Sequence, residues 1–172
     1  LKYLYLDTGA LYRALAFIHE IFHQQSMRGF RHFWHAVAGI PLLLPLLLYL
    51  PVHQLHHNAR HYGTVADGEY ERFQGRAGLM TAKLLGLNLL LPLALFVRFG
   101  LLTPLSVVLP ALRTRMIPEF VHLSMRMPYR APDITGPLRG ESMRVEWLCF
   151  AFCMGGVALL VAGQAHWVAA WA

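Results

Sequence analysis

Residues 36–52 read Ala-Val-Ala-Gly-Ile-Pro-Leu-Leu-Leu-Pro-Leu-Leu-Leu-Tyr-Leu-Pro-Val, the strongest apolar block of the chain. Its 17 residues lie at the lower limit of the length that a helix needs to cross a bilayer. Prolines at positions 41, 45 and 51 also remove helical hydrogen bonds. The block therefore favours a short, kinked or re-entrant membrane element at least as much as a complete crossing.

The composition extends this membrane interpretation to the whole chain. Of 172 residues, 56% are hydrophobic and 14% are charged, whereas an ordinary soluble domain carries about 25% charged residues. The net charge of +6 comes mainly from arginines that flank apolar stretches, as in loops near anionic lipid headgroups. We therefore predict an all-α integral membrane protein. No basic stripe with interleaved aromatic residues indicates nucleic-acid binding.

The segments outside this block predict one membrane domain, residues 1–172. Residues 79–112 are apolar with polar interruptions, and their length suits a membrane hairpin or interfacial helices. Residues 113–144 hold six arginines, so the positive-inside rule predicts a cytoplasmic loop. Residues 145–172 predict a transmembrane helix, whose two cysteines are expected to be buried free thiols.

Ten histidines carry the concentrated chemistry of the chain, and the first pair is His19 and His23. We predict one helix over residues 8–26, on which positions four apart share a face and can reach one metal ion. With Glu20, the pair also matches H-E-x-x-H, the helix motif of zinc metalloproteases in which the glutamate is the general base. That alternative leaves the later histidines without a function.

The second group of histidines lies directly after the apolar block. His53, His57 and His61 share a broad helical face, whereas His56 points about 100° away from His57. Neutral imidazole is the common protein ligand for iron, zinc and copper. Residues 19–76 therefore form the histidine-box region, in which we predict a metal site.

The two groups together resemble the histidine boxes of the membrane fatty-acid desaturase and hydroxylase superfamily. H-x-x-x-H is followed 30 residues later by H-x-x-H-H. Residues 53–70 also resemble the second box and the Tyr-Gly-Thr-x-x-Asp-x-Glu-Tyr tail of some bacterial members. The resemblance implies a desaturase-like transmembrane bundle with a cytosolic cap that bears the histidines.

The resemblance also implies a chemistry and a set of site residues. A di-iron centre, with O2 as co-substrate, would abstract hydrogen from a C–H bond of a fatty acyl lipid and form a double bond. A hydroxylase differs only in returning oxygen to the carbon. The residues that match iron ligands are His19, His23, His53, His56 and His57. The residues expected to support those ligands or to form the adjoining loop are His61, Asp67 and Glu69.

Partners and location follow from the same resemblance. The substrate would be an acyl-lipid, an acyl-CoA or an acyl-carrier conjugate. Electrons would come from a ferredoxin or a cytochrome b5-like protein, and no haem is expected. The predicted location is the bacterial inner membrane, where other membrane subunits are further expected partners.

Three departures from the family pattern bear on these expectations. Gly68 stands in place of a proline, His35 stands where such members often carry asparagine, and a third H-x-x-H-H box is not found in this sequence. We therefore expect a piece of a longer enzyme, not competent alone. The alternative is a non-catalytic desaturase-like subunit that binds lipid or pigment in a larger complex, and a bis-histidine haem protein is a weaker option.

Overall fold

A computed structural model describes residues 28–67, 77–116 and 134–171. The regular elements in these ranges are all helical: α1 (Arg28–Trp34), α2 (Leu46–His56), α3 (Ala77–Phe96), α4 (Thr103–Val108), α5 (Pro137–Val161) and α6 (Ala165–Trp171). Two helical stretches, Leu89–Val108 and Pro137–Val161, are long and apolar enough to cross a membrane. The prediction of an all-α helical membrane protein is confirmed for this described part of the chain.

The apolar block over residues 36–52 does not form one continuous helix. A wide π-type turn, His35–Gly39, follows α1, and irregular turns then lead to Pro45, whose ψ of 123° is extended. Proline disfavours the helical conformation in the residue before it, which accounts for the interruption at Leu44. Helix α2 begins only at Leu46 and contains Pro51. The element is short and interrupted, and its re-entrant placement in a membrane stays a prediction.

Helix α3 continues into α4 through a second π-type segment, Val97–Leu102. The backbone leaves the helical region at Leu109, where φ is −120° and ψ is 83°. A third π-type segment, Leu112–Met116, follows. The arrangement of residues 79–112 as a hairpin or as interfacial helices stays a prediction.

Helix α5 differs in both bounds from the helix predicted over residues 145–172. It begins at Pro137, since proline is preorganised for the first helical position. It ends before Gly163, whose φ of 74° gives a left-handed cap. The N–H groups of Gly163 and Gln164 bond to the carbonyls of Leu160 and Leu159 at 3.1 and 2.8 Å. These hydrogen bonds satisfy the last carbonyls of α5 and separate it from α6.

The best-packed core lies where three segments of the chain meet. Leu43 from the turn before α2 and Phe99 from the π-type segment pack against α5, which contributes Val145, Cys149 and Cys153. Both cysteines are buried and free, as predicted from the sequence. By contrast, large apolar side chains on the outer faces of α3 and α4 are exposed. Exposed apolar faces of this kind are typical of surfaces that contact lipid or protein.

Candidate metal centre

The C-terminal end of α2 brings three histidine rings together. His53 and His57 are four residues apart on one face, and their ring centroids lie 4.5 Å apart. The ring of His56 lies 6.5 Å from that of His53 and 5.5 Å from that of His57. The N–H of His57 bonds to the His53 carbonyl at 3.1 Å, which closes the last helical turn. The local helix is therefore sufficient to cluster these three predicted ligands.

The turn after α2 places Asp67 directly behind His56. The Asp67 carboxylate is completely buried, with 0% of its surface exposed. His56 Nδ1 lies 3.0 Å from Oδ1 and 3.1 Å from Oδ2, and the Gly63 N–H donates to Oδ2 at 2.9 Å. An ionised carboxylate only accepts hydrogen bonds, so His56 Nδ1 carries the hydrogen. In the neutral ring, Nε2 then keeps its lone pair, as a metal ligand requires.

The chain reaches Asp67 through a compact set of backbone turns. The N–H groups of His61 and Tyr62 both bond to the Asn58 carbonyl, at 2.8 and 2.9 Å. The Thr64 N–H and hydroxyl both donate to the His61 carbonyl. Gly63 has a φ of 71°, a left-handed conformation that favours glycine. The Tyr-Gly-Thr sequence therefore forms the bend that turns Asp67 back toward α2.

The remaining predicted site residues are placed differently. His61 contributes its backbone to the turn, and among the described residues its ring is not packed against the three clustered rings. His19, His23 and Glu69 lie outside the described residues. In residues 28–67, 77–116 and 134–171, no group of three or more His, Cys, Asp or Glu side chains is arranged to hold a metal ion. The assignment of His53, His56 and His57 as metal ligands therefore stays a prediction.

His35 is a buried histidine that the sequence analysis did not assign to the site. Both of its ring nitrogens lack a hydrogen-bond partner within the described residues. Burial lowers the pKa of His35 to about 4, and the nearby Glu141 carboxylate only partly opposes that effect. The ring is therefore neutral near pH 7. The sequence signal that could have drawn attention to His35 is its position, where the similar family members often carry asparagine.

A two-point ion pair ties the helix before His35 to the start of α5. Arg31 Nε and Nη2 donate to the two carboxylate oxygens of Glu141 at 2.8 and 2.7 Å. Paired N–H donors matched to two carboxylate oxygens are among the stronger ionic contacts in proteins. This contact was not predicted, because Glu141 was expected to lie in a cytoplasmic loop.

The donor set at the end of α2 suits a divalent metal ion that prefers imidazole. His53, His56 and His57 bring three imidazole rings together, and Asp67 sets the hydrogen position on one of them. This carboxylate–histidine pairing recurs behind metal-bound histidines in many proteins. Imidazole nitrogen as a donor type suits iron, zinc or copper.

The chain is similar to a ceramide hydroxylase. The relative, from Caulobacter vibrioides (strain NA1000 / CB15N), is 42% identical over 110 residues. The match covers 63% of this chain and 31% of the hydroxylase, so the chain spans about a third of that relative's length. No family model matches the chain, and no solved structure matches it. The similarity is consistent with the fatty-acid hydroxylase and desaturase type of membrane protein.

Proposed function

We propose that this chain is part of a membrane-bound di-iron oxidoreductase that hydroxylates a lipid acyl chain. The observation that carries the proposal is the cluster of His53, His56 and His57 with the buried Asp67 behind His56. A buried carboxylate bonded to a histidine at a helix end has a clear purpose when the other ring nitrogen binds a metal. The 42% identity to a ceramide hydroxylase supports the same chemistry.

Five histidines of the chain are proposed as iron ligands: His19, His23, His53, His56 and His57. Two bound iron ions would supply the redox chemistry that activates O2 toward an unactivated C–H bond. Asp67 holds the hydrogen on His56 Nδ1 and keeps the ring oriented. His61 and Glu69 are proposed to support the ligands through the loop in which they lie.

Hydroxylation is proposed ahead of desaturation because the similar protein is a hydroxylase. A ceramide is accordingly the first substrate to test. Hydroxylation places one atom of O2 on carbon and reduces the other to water, so it needs two electrons from a donor. A ferredoxin or a cytochrome b5-like protein is the proposed donor, and the bacterial inner membrane is the proposed location. A double bond would instead form if a second hydrogen were removed from the neighbouring carbon.

The test uses the complete gene product that contains these residues, expressed in membranes and supplied with ceramide, a reducing system and 18O2. The expected product is a ceramide that carries one labelled oxygen atom, detected by mass spectrometry. An unlabelled product that has lost two hydrogens would replace hydroxylation by desaturation. A membrane preparation with bound iron and neither product would favour the non-catalytic subunit.

A matched pair of histidine variants links the product to the site. His57→Ala should remove iron and product together, because the variant loses one of the five proposed ligands. His166→Ala is the control, since His166 is exposed on α6. Iron content by elemental analysis is the readout that does not depend on activity. Full iron occupancy in the His57 variant would remove that residue from the proposed site. Zinc in place of iron in the unmodified protein would favour the zinc-protease alternative.

A further inference from the structure

A second group of charged residues lies between the two apolar helical stretches. Arg98 is 1% exposed and Glu146 is 3% exposed. Arg98 Nη2 lies 3.3 Å from Glu146 Oε1, and Arg98 Nη1 donates to the Thr103 hydroxyl at 2.9 Å. Charged side chains within membrane-spanning stretches are costly and usually serve a function. Arg98 and Glu146, together with Arg113, form a group that we call the arginine cluster.

Arg113 joins the arginine cluster from the π-type segment Leu112–Met116, which follows α4. Its Nη1 and Nη2 lie 3.3 Å from the two oxygens of Glu146, and Nη1 lies 3.4 Å from the Ser106 hydroxyl. The Arg113 side chain is 31% exposed, whereas that of Glu146 is 5% exposed. Arg113 is therefore the open end of an otherwise buried group.

The cluster carries one more positive charge than negative charge. Arginine stays protonated in proteins, so two guanidinium groups share the single carboxylate of Glu146. The described ranges contain two other carboxylates, Asp67 and Glu141, and these are bonded to His56 and Arg31. An uncompensated charge in a low-dielectric environment is unfavourable. The arrangement therefore favours an additional anion.

The contacts of Arg113 leave donors available for that anion. Charge-assisted N–H bonds to oxygen are typically about 2.7–2.9 Å long, as in the Arg31–Glu141 pair at 2.7 and 2.8 Å. The three contacts of Arg113 are longer, at 3.3–3.4 Å. A guanidinium group has five N–H donors in a planar fork that matches two oxygens of a phosphate. Arg113 can thus take a phosphate group from its exposed side.

The neighbouring surface indicates that the anion belongs to a lipid. Val107, Val108 and Leu109 are 65%, 76% and 52% exposed, and they lie shortly before the π-type segment that holds Arg113. An apolar strip beside a basic group suits acyl chains with an anionic headgroup at their end. We propose that Arg113, backed by Arg98 and Glu146, binds the phosphodiester of an anionic phospholipid. This site does not depend on the metal chemistry proposed above.

The test measures lipid binding by native mass spectrometry on the full chain purified in detergent. The probes are dioleoyl phosphatidylglycerol, which is anionic, and dioleoyl phosphatidylcholine, which is zwitterionic. We expect the protein to retain phosphatidylglycerol in preference to phosphatidylcholine. Arg113→Gln should weaken phosphatidylglycerol binding about tenfold, the effect of one charge-assisted contact. Arg113→Lys should retain part of the binding, because it keeps the charge and loses the fork.

Arg144→Gln is the matched control, since Arg144 is an exposed arginine on α5. Unchanged phosphatidylglycerol binding in the Arg113→Gln variant, or an equal loss in the Arg144→Gln variant, would overturn the proposal. Arg113-dependent binding of inorganic phosphate without phosphatidylglycerol binding would also overturn it and indicate a free-phosphate site. Equal retention of both lipids by the unmodified protein overturns it whether or not the variants fold. None of these readouts involves iron or O2, so they are separate from the test of hydroxylation.

Discussion

Two buried carboxylates in this protein are used in different ways. The partners of Asp67 include the imidazole of His56 and the backbone N–H of Gly63, at 2.9–3.1 Å. Glu146 faces two guanidinium groups at 3.3 Å. The first carboxylate positions a hydrogen on an imidazole nitrogen, and the second offsets charge between apolar helices. Burial alone therefore does not reveal the role of a carboxylate, whereas the chemistry and charge of its partners do.

The largest expected effect comes from removing the charge of Glu146. In Glu146→Gln, the buried guanidinium group of Arg98 and the partly exposed one of Arg113 lose their carboxylate, and breaking a buried ion pair costs about 3–5 kcal/mol. Denaturant titration of the purified protein in detergent would measure the free energy of unfolding. The control is Met143→Gln, a change at an exposed position on the same helix. If Glu146→Gln lowered the free energy of unfolding by less than Met143→Gln does, the arginine cluster would be solvated.

Removing the charge of Asp67 should act on metal binding first. Asp67→Asn keeps the size of the side chain but no longer sets the hydrogen on His56 Nδ1. Changes to carboxylates behind metal-bound histidines typically weaken metal binding about 10–100-fold. Iron retention against a graded chelator series measures the effect. The control is Val65→Ala in the same turn, where the side chain is 79% exposed. Equal iron retention in both variants would leave Asp67 with a purely structural role.

His35 tests a third kind of buried polar group, one whose ring nitrogens lack a hydrogen-bond partner in the described ranges. Its pKa is about 4 in the folded protein, against the ordinary value of 6.5. The unfolded chain therefore binds the proton more readily, so stability is highest above pH 6.5 and falls as the pH drops toward 4. The expected loss is about 2 kcal/mol at pH 5. His35→Leu should flatten this part of the stability profile, and an unchanged profile would contradict the assignment.

The short, two-point pair of Arg31 and Glu141 provides the reference for the arginine cluster. Arg31→Lys keeps the charge but replaces two short contacts by one, so we expect a loss of about 1 kcal/mol. Arg139→Lys, at an exposed position in the first turn of α5, is the control. A double-mutant cycle with Glu141→Gln separates the pair from its surroundings. A coupling energy near zero would show that this pair stabilises the fold no more than an ordinary surface ion pair does.

Local periodicity explains which parts of the structure were predictable. The all-α membrane character follows from the composition, and the clustering of His53 and His57 follows from their four-residue spacing. The breaks at Pro45 and Gly163 also have local causes. The break at Gly163 was not predicted, since the last helix was expected to continue to residue 172. The start of that helix was predicted too late, because the charged residues before position 145 were expected to form a loop. Helix packing in fact gives Glu141 an arginine partner.

The sequence by itself determined the class of the protein, the spacing of its histidines and the burial of its cysteines. These properties depend on composition and on neighbours within one or two helical turns. Only the tertiary structure decided that Glu141 meets Arg31 across 110 residues and that Glu146 meets Arg113 across 33. It also decided that Asp67 turns back onto His56. Such pairings depend on how elements pack and where a turn redirects the chain, and several carboxylates in the sequence were equally eligible partners for each cation.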